Sequence, residues 1–144
     1  MSERGITIQK YAHGEGDFWQ RMGPYFASAR VQRELGVRMS SDEAHTWWVA
    51  VDEEGEVAGF AAAEAQKNGI VVLRHAWVRP EHRENGIYER LFDRRLADLR
   101  EAGHTHFRVT TKGEALKLIE RKGFEETGGR GSYTTLELKV DEKD

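Results

Sequence analysis

A chain of 144 residues, 38% hydrophobic and 33% charged, has the composition of a single water-soluble domain (residues 1-144) with enough apolar surface for a core. The absence of cysteine excludes disulfides, zinc–thiolate sites and a thiol nucleophile. A net charge of -3 argues against a broad basic field for nucleic acid, so nucleic acid is not an expected partner. No apolar run approaches membrane-spanning length, and Met1–Lys10 lacks the apolar stretch of a signal peptide, so a cytoplasmic protein without a membrane partner is expected.

Ile6-Thr7-Ile8 alternates like a strand, placed at about residues 5–11. A helical stretch carrying Phe18, Trp19, Met22, Tyr25 and Phe26 follows. Gly23-Pro24 interrupts it, and Pro24 suits the first turn of a second helix that carries Val31 and Leu35 and stops at Gly36. Thr46–Val51 and Val57–Gln66 read as strands around the turn Asp52-Glu53-Glu54-Gly55. Asn68-Gly69 predicts a two-residue hairpin loop, because both positions tolerate positive φ, and Ile70–Val78 returns.

The segment Val78-Arg79-Pro80-Glu81-His82-Arg83-Glu84-Asn85-Gly86-Ile87-Tyr88 reads as a strand end, a polar turn and a helix entrance. The first N–H groups of a helix lack partners within it and its dipole favours negative charge there, so this turn suits an anion. The helix is predicted over about 85–102. Ile87, Leu91, Leu96, Leu99 and Phe92 point inward, while Arg90, Asp93, Arg94, Arg95 and Arg100 lie mostly outward. Phe107–Thr110 is a strand, Glu114–Lys122 a short helix ended by Gly123, Phe124 opens another strand, and Tyr133–Val140 is the last. Asp141–Asp144 reads as a frayed tail.

The order β–α–α–β–β–β–α–β–α–β–β, with these residues in these places, resembles the GNAT superfamily of acyl-CoA-dependent N-acyltransferases. Val78-Arg79-Pro80 is similar to the V-x-P that closes the family's fourth strand. Arg83 to Tyr88 is similar to its pyrophosphate loop, (Q/R)-x-x-G-x-(G/A), with Tyr88 in place of the last small residue. Leu118 to Phe124 is similar to the helix that ends in Gly-Phe. The resemblance implies an α/β fold with a mixed, mostly antiparallel sheet flanked by helices, its fourth and fifth strands splayed around the CoA arm. It implies acetyl-CoA as co-substrate, held by backbone beside Trp77 and Val78 and by the N–H groups of Arg83, Glu84, Asn85, Gly86, Ile87 and Tyr88. No metal is expected.

The implied activity is transfer of an acetyl group to a primary amine of a small molecule or peptide, by direct attack in a ternary complex. A catalytically inactive CoA-binding or protein-interaction module, or an acyltransferase acting on a nucleobase or tRNA, would share the fold, as a monomer or homodimer. In relatives with a glutamate base on the fourth strand, the matching position here is about Val72, and Ile119 replaces the usual tyrosine acid. A two-residue loop would pair Glu64 with Leu73 and Ala62 with His75, making Glu64 and His75 diagonal neighbours. His75, oriented by Glu64, is therefore the expected base, with the ordinary histidine pKa of about 6.5. Tyr88 is the expected acid, with Tyr133 as the other phenol. His104 and His106 read as exposed, and Trp47 and Trp48 face opposite sides of their strand.

Overall fold

The computed structural model describes residues 5–140. The elements follow the predicted order: β1 (Thr7–Ala12), α1 (Phe18–Phe26), α2 (Ala29–Leu35), β2 (His45–Val51), β3 (Val57–Ala65), β4 (Val71–Val78), α3 (Ile87–Glu101), β5 (His106–Thr111), α4 (Glu114–Arg121), β6 (Glu125–Arg130) and β7 (Tyr133–Lys139). A single 3-10 turn, Pro80–His82, joins β4 to α3. The seven strands form one sheet in the order β1-β2-β3-β4-β5-β7-β6, antiparallel except where β4 meets β5. The expected tail lies outside the described residues.

Alternation along the strands feeds two cores, one on each face of this sheet. Trp48, Ala50, Ala61 and Leu73 face α3 and α4, where they meet Ile87, Leu91, Phe92 and Ile119. Trp47, Val49, Phe60 and Trp77 face α1 and α2, where they meet Phe18, Met22 and Val31. Trp47 and Trp48 therefore do cover two packing layers, and both are fully buried.

Three expectations change here. Pro24 lies inside α1 rather than opening α2, which is instead capped by Ser28, whose Oγ accepts from Val31 N–H at 3.2 Å. Gly23 before the proline has no Cβ to clash with its ring, so α1 passes through at the loss of one backbone bond. Second, Arg95 is not outward but 1% exposed, directly beneath the sheet. Third, the β3–β4 loop has three residues: Gln66 N–H donates to Ile70 O, Gly69 N–H donates to Gln66 O, and Gly69 takes a φ of 89°. Asn68 accepts from Ile70 N–H through its side chain instead of forming a two-residue turn with Gly69.

That third residue slides the register by one, so Glu64 faces Val72 and Ala62 faces Arg74. The register shifts again between Phe60 and Ala62, and His75 in the bulge adopts a φ of 56°. Beyond it β3 and β4 approach closely. A Cβ on Gly59 would lie 2.8 Å from the carbonyl oxygen of Trp77 and 3.2 Å from Val78 Cα. Gly59→Ala should therefore destabilise the fold by about 1–3 kcal/mol, read as a lower urea midpoint. An unchanged midpoint would mean that the two strands separate freely at this point.

Candidate active site

β4 and β5 pair over only three residues, Val71–Leu73 against Phe107–Val109, although β4 runs on to Val78 and β5 to Thr111. Past the bulge at His75 the edge of β4 no longer pairs with β5, which leaves a gap in the ladder between the two strands. Arg79 N–H donates to Ala58 O, and Trp77 lies opposite Phe60. By alternation the peptide groups of Trp77 engage β3, while those of Ala76 and Val78 point into the gap. Trp77 lines the other wall through its ring, stacked on Phe60 at 5.5 Å.

The gap leads to the N-terminus of α3. Gly86 caps that helix in the left-handed region, φ 82°, without a side-chain hydrogen bond. The N–H groups of Ile87, Tyr88 and Glu89 thus have no partner within the helix. Glu84 holds a φ of 67°, and it and His75 are the two non-glycine residues with positive φ among the described residues. Both lie on this path, as expected where a site is maintained against local backbone preference. Arg83 folds back: its Nε donates to Val78 O at 2.7 Å and its Nη2 to Glu34 at 2.9 Å. Glu34 also accepts from Trp77 Nε1 at 2.7 Å, and these two bonds hold its carboxyl below the usual range.

On the α1–α2 face, beside the bulge, a polar cluster is embedded in aromatic rings. His45, Glu64 and Val72 lie in a row across β2, β3 and β4. Glu64 therefore stands between His45 and Val72, directly opposite each. Its carboxylate does not reach out to His75; it binds the Arg74 guanidinium at 2.9 Å, one diagonal step along β4. His45 Nδ1 lies 2.8 Å from Asp42 Oδ1, and its Nε2 is buried without a partner. Ligating atoms of Asp42, His45 and Glu64 lie within 4.8 Å of one another, with the Arg74 guanidinium already on Glu64.

His75 is 5% exposed, and neither of its ring nitrogens has a hydrogen-bond partner. Its ring stacks on Trp47 at 5.8 Å and on His45 at 6.2 Å. Burial first, then the charges of Arg74 and His45, lower its pKa from 6.5 to about 4. The expected histidine value near neutrality is thus corrected: the imidazole is neutral at pH 7, with a free lone pair. Tyr88 packs against the core on the α3 side, where burial raises its pKa and Arg95 pulls it down. Ile119 is fully buried in the same core. Tyr133 reaches the other face. Its hydroxyl lies 2.7 Å from where a Cβ of Gly36 would stand, at the end of α2, and Lys112 Nζ lies 5.0 Å from its ring centre.

This arrangement of a splayed β4 leading to a bare helix N-terminus is accompanied by a match of residues 18–135 to the acetyltransferase (GNAT) domain family. The chain belongs to the GNAT acetyltransferases. No curated protein matches it in sequence. Among solved structures, a GNAT-family acetyltransferase from Staphylococcus aureus Mu50 is 14% identical, covering 94% of this chain and 99% of that one, with a TM-score of 0.71. An acyl-CoA N-acyltransferase from Pseudomonas aeruginosa is 12% identical over 92% and 99% of the two chains, with a TM-score of 0.73. An acetyltransferase from Streptococcus agalactiae 2603 is 14% identical over 95% and 99%, with a TM-score of 0.70. At these identities the likeness is one of fold.

Sequence reasoning missed the inward place of Arg95 and the pairing of His45 with Asp42. His45 looked isolated because its neighbours Glu64 and His75 are brought to it by strand pairing, and Arg95 was placed by helical periodicity alone. The buried His75 makes a stability prediction. The folded chain binds its proton less tightly than the unfolded chain, so stability is full above about pH 6.5 and falls as the pH drops towards 4. The loss should reach about 3 kcal/mol across that window. His75→Gln should flatten this part of the thermal-stability profile. An identical slope in the variant would mean that His75 titrates freely.

Proposed function

We propose that this acetyltransferase moves an acetyl group from acetyl-CoA to a primary amine of a small molecule or peptide by direct attack. The observation that carries the reading is the short β4–β5 pairing, which leaves the peptide groups of Ala76 and the N–H of Val78 without a β5 partner on the side that leads to the N-terminus of α3. Val78 O is held by Arg83. A pantetheine arm is a chain of amides that suits such a strand edge, and a pyrophosphate suits the N–H groups of Gly86, Ile87 and Tyr88. Arg83 would trade Glu34 for phosphate oxygens there. Bound acetyl-CoA supplies an electrophilic thioester carbonyl.

Asp42, the exposed carboxylate of the cluster, draws the acceptor in as its ammonium, while Glu64 is held by Arg74. Loss of that proton to water at pH 7 costs about 4–5 kcal/mol for a lysine-like amine. Passing it to a histidine of pKa about 4 would cost about 9 kcal/mol, so His75 does not store it and solvent takes it. His75 acts later. As the nitrogen bonds to the carbonyl carbon its two remaining protons become strongly acidic; the neutral imidazole accepts one of them, and the other stays as the amide N–H. The carbon–sulfur bond then breaks, and Tyr133, on the cleft face, donates its phenolic proton to the departing sulfur in preference to Tyr88, which packs inward.

Isothermal titration with acetyl-CoA tests the cofactor assignment first. Saturable binding is expected, weakened at least tenfold by Gly86→Val, because a β-branched residue resists the left-handed conformation at this cap. Binding unaffected by that change would remove α3 from the site. In a screen of primary amines, His75→Ala and Tyr133→Phe should each lower kcat about a hundredfold with little change in the KM for acetyl-CoA. Tyr88→Phe should leave kcat intact, and a large kcat loss in that variant would reverse the assignment of the two phenols.

A further inference from the structure

Arg95 is a cation held in the interior without a carboxylate. It is 1% exposed. Its Nη1 donates to Ala62 O at 2.8 Å and to Arg74 O at 3.3 Å, its Cζ lies 5.3 Å from the centre of the Phe92 ring, and its Nε has no partner. Burial lowers its pKa to about 10, so it remains charged at neutral pH. A charge placed this way is poor value for stability alone, since a well-packed apolar residue of similar volume often does as well or better. The location of its two acceptors explains it.

Ala62 and Arg74 are the paired residues at which the β3–β4 ladder breaks, and His75 follows with its positive φ. A bulge leaves backbone groups without regular ladder partners. From the α3 side Arg95 Nη1 donates to the carbonyls of both members of the pair that flanks this bulge, Ala62 and Arg74. It also fixes a direction, because a carbonyl and the N–H of the same trans peptide point opposite ways. With the Arg74 carbonyl held towards α3, the His75 N–H points away from α3, and the residue after it is turned so that its ring stacks on Trp47 on the α1–α2 face.

We propose that Arg95 is a positioning residue: its guanidinium locks the β4 bulge from behind and thereby holds His75 in its reactive orientation on the acceptor face. The functional part of this inference rests on the proposed role of His75 in proton transfer, whereas the geometric part does not.

The test uses Arg95→Met, with Arg95→Lys as a second variant that keeps the charge and loses the fork. The signature is the NMR signal of the His75 ring protons, which the stack on Trp47 shifts upfield. Both variants should keep a cooperative thermal transition, and in Arg95→Met the His75 signal should move towards its random-coil position. With acetyl-CoA and cadaverine as probe substrates, kcat should fall at least tenfold in Arg95→Met while the KM for acetyl-CoA stays within twofold. Arg95→Lys should recover part of both. In a His75→Ala background, Arg95→Met should cause no further loss of kcat. An unmoved His75 signal in a folded variant overturns the proposal, as does an undiminished tenfold loss in the His75→Ala background. If His75→Ala alone leaves turnover intact, the proton-transfer reading fails while the ring signal still decides whether Arg95 sets the bulge. If Arg95→Met does not fold, the Arg95→Lys signal and kcat decide it.

Discussion

The site exists because β4 cannot pair along its whole length. A parallel ladder continued past Leu73 and Val109 would consume the inward peptide groups of β4 and leave nothing for a ligand to bond. One inserted residue at the bulge bends the strand and ends that pairing. The same bend delivers the chain through Pro80 to a helix N-terminus that carries no side-chain cap. Strand edge and helix end are then consecutive in the chain and continuous in space, so one backbone path presents amide groups first and an anion-facing terminus next. Side-chain identity enters mainly through Gly86, whose left-handed conformation starts α3 at the required angle.

The electrostatics divide between the two faces of the sheet. Beneath it, on the α3 side, Arg95 brings one buried charge against carbonyl oxygens. On the α1–α2 side, two carboxylates, Asp42 and Glu64, share a small volume with Arg74 and two buried histidines. Burial, with the charges of Arg74 and His45 beside it, keeps His75 neutral; under the proposed mechanism it is a poor sink for a free ammonium proton and an acceptor only once the nitrogen is bonded to carbon. Glu34 connects this face to the turn before α3, because one carboxylate receives both Trp77 and Arg83.

Much of the candidate site was legible from local pattern. Pro80 had to end a strand, the turn before Ile87 had to leave free N–H groups, and His75 had to lie near the end of its strand. The partner assigned to His75 was wrong for a definite reason. Asn68-Gly69 satisfies a two-residue loop and a three-residue loop alike, and the two differ by one residue of register. Glu64 consequently meets Arg74, and in the cluster beside the bulge the carboxylate on a histidine is that of Asp42 on His45. The inward turn of Arg95 was equally invisible, since helical periodicity places an arginine by its neighbours' polarity and knows nothing of two carbonyls beside a bulge 33 and 21 residues earlier.

The sequence by itself determined the element order, the two-sided alternation of the strands, the helix entrance at Gly86 and the absence of thiol chemistry, because each depends on residues a few positions apart. The tertiary structure alone decided which polar groups meet. Register, bulge and burial are set by contacts between distant segments, and a shift of one residue or the loss of a few water molecules changes a partner or moves a pKa. Function at this site depends on those contacts, so its fold could be read from the chain while its chemistry had to be read from the packing.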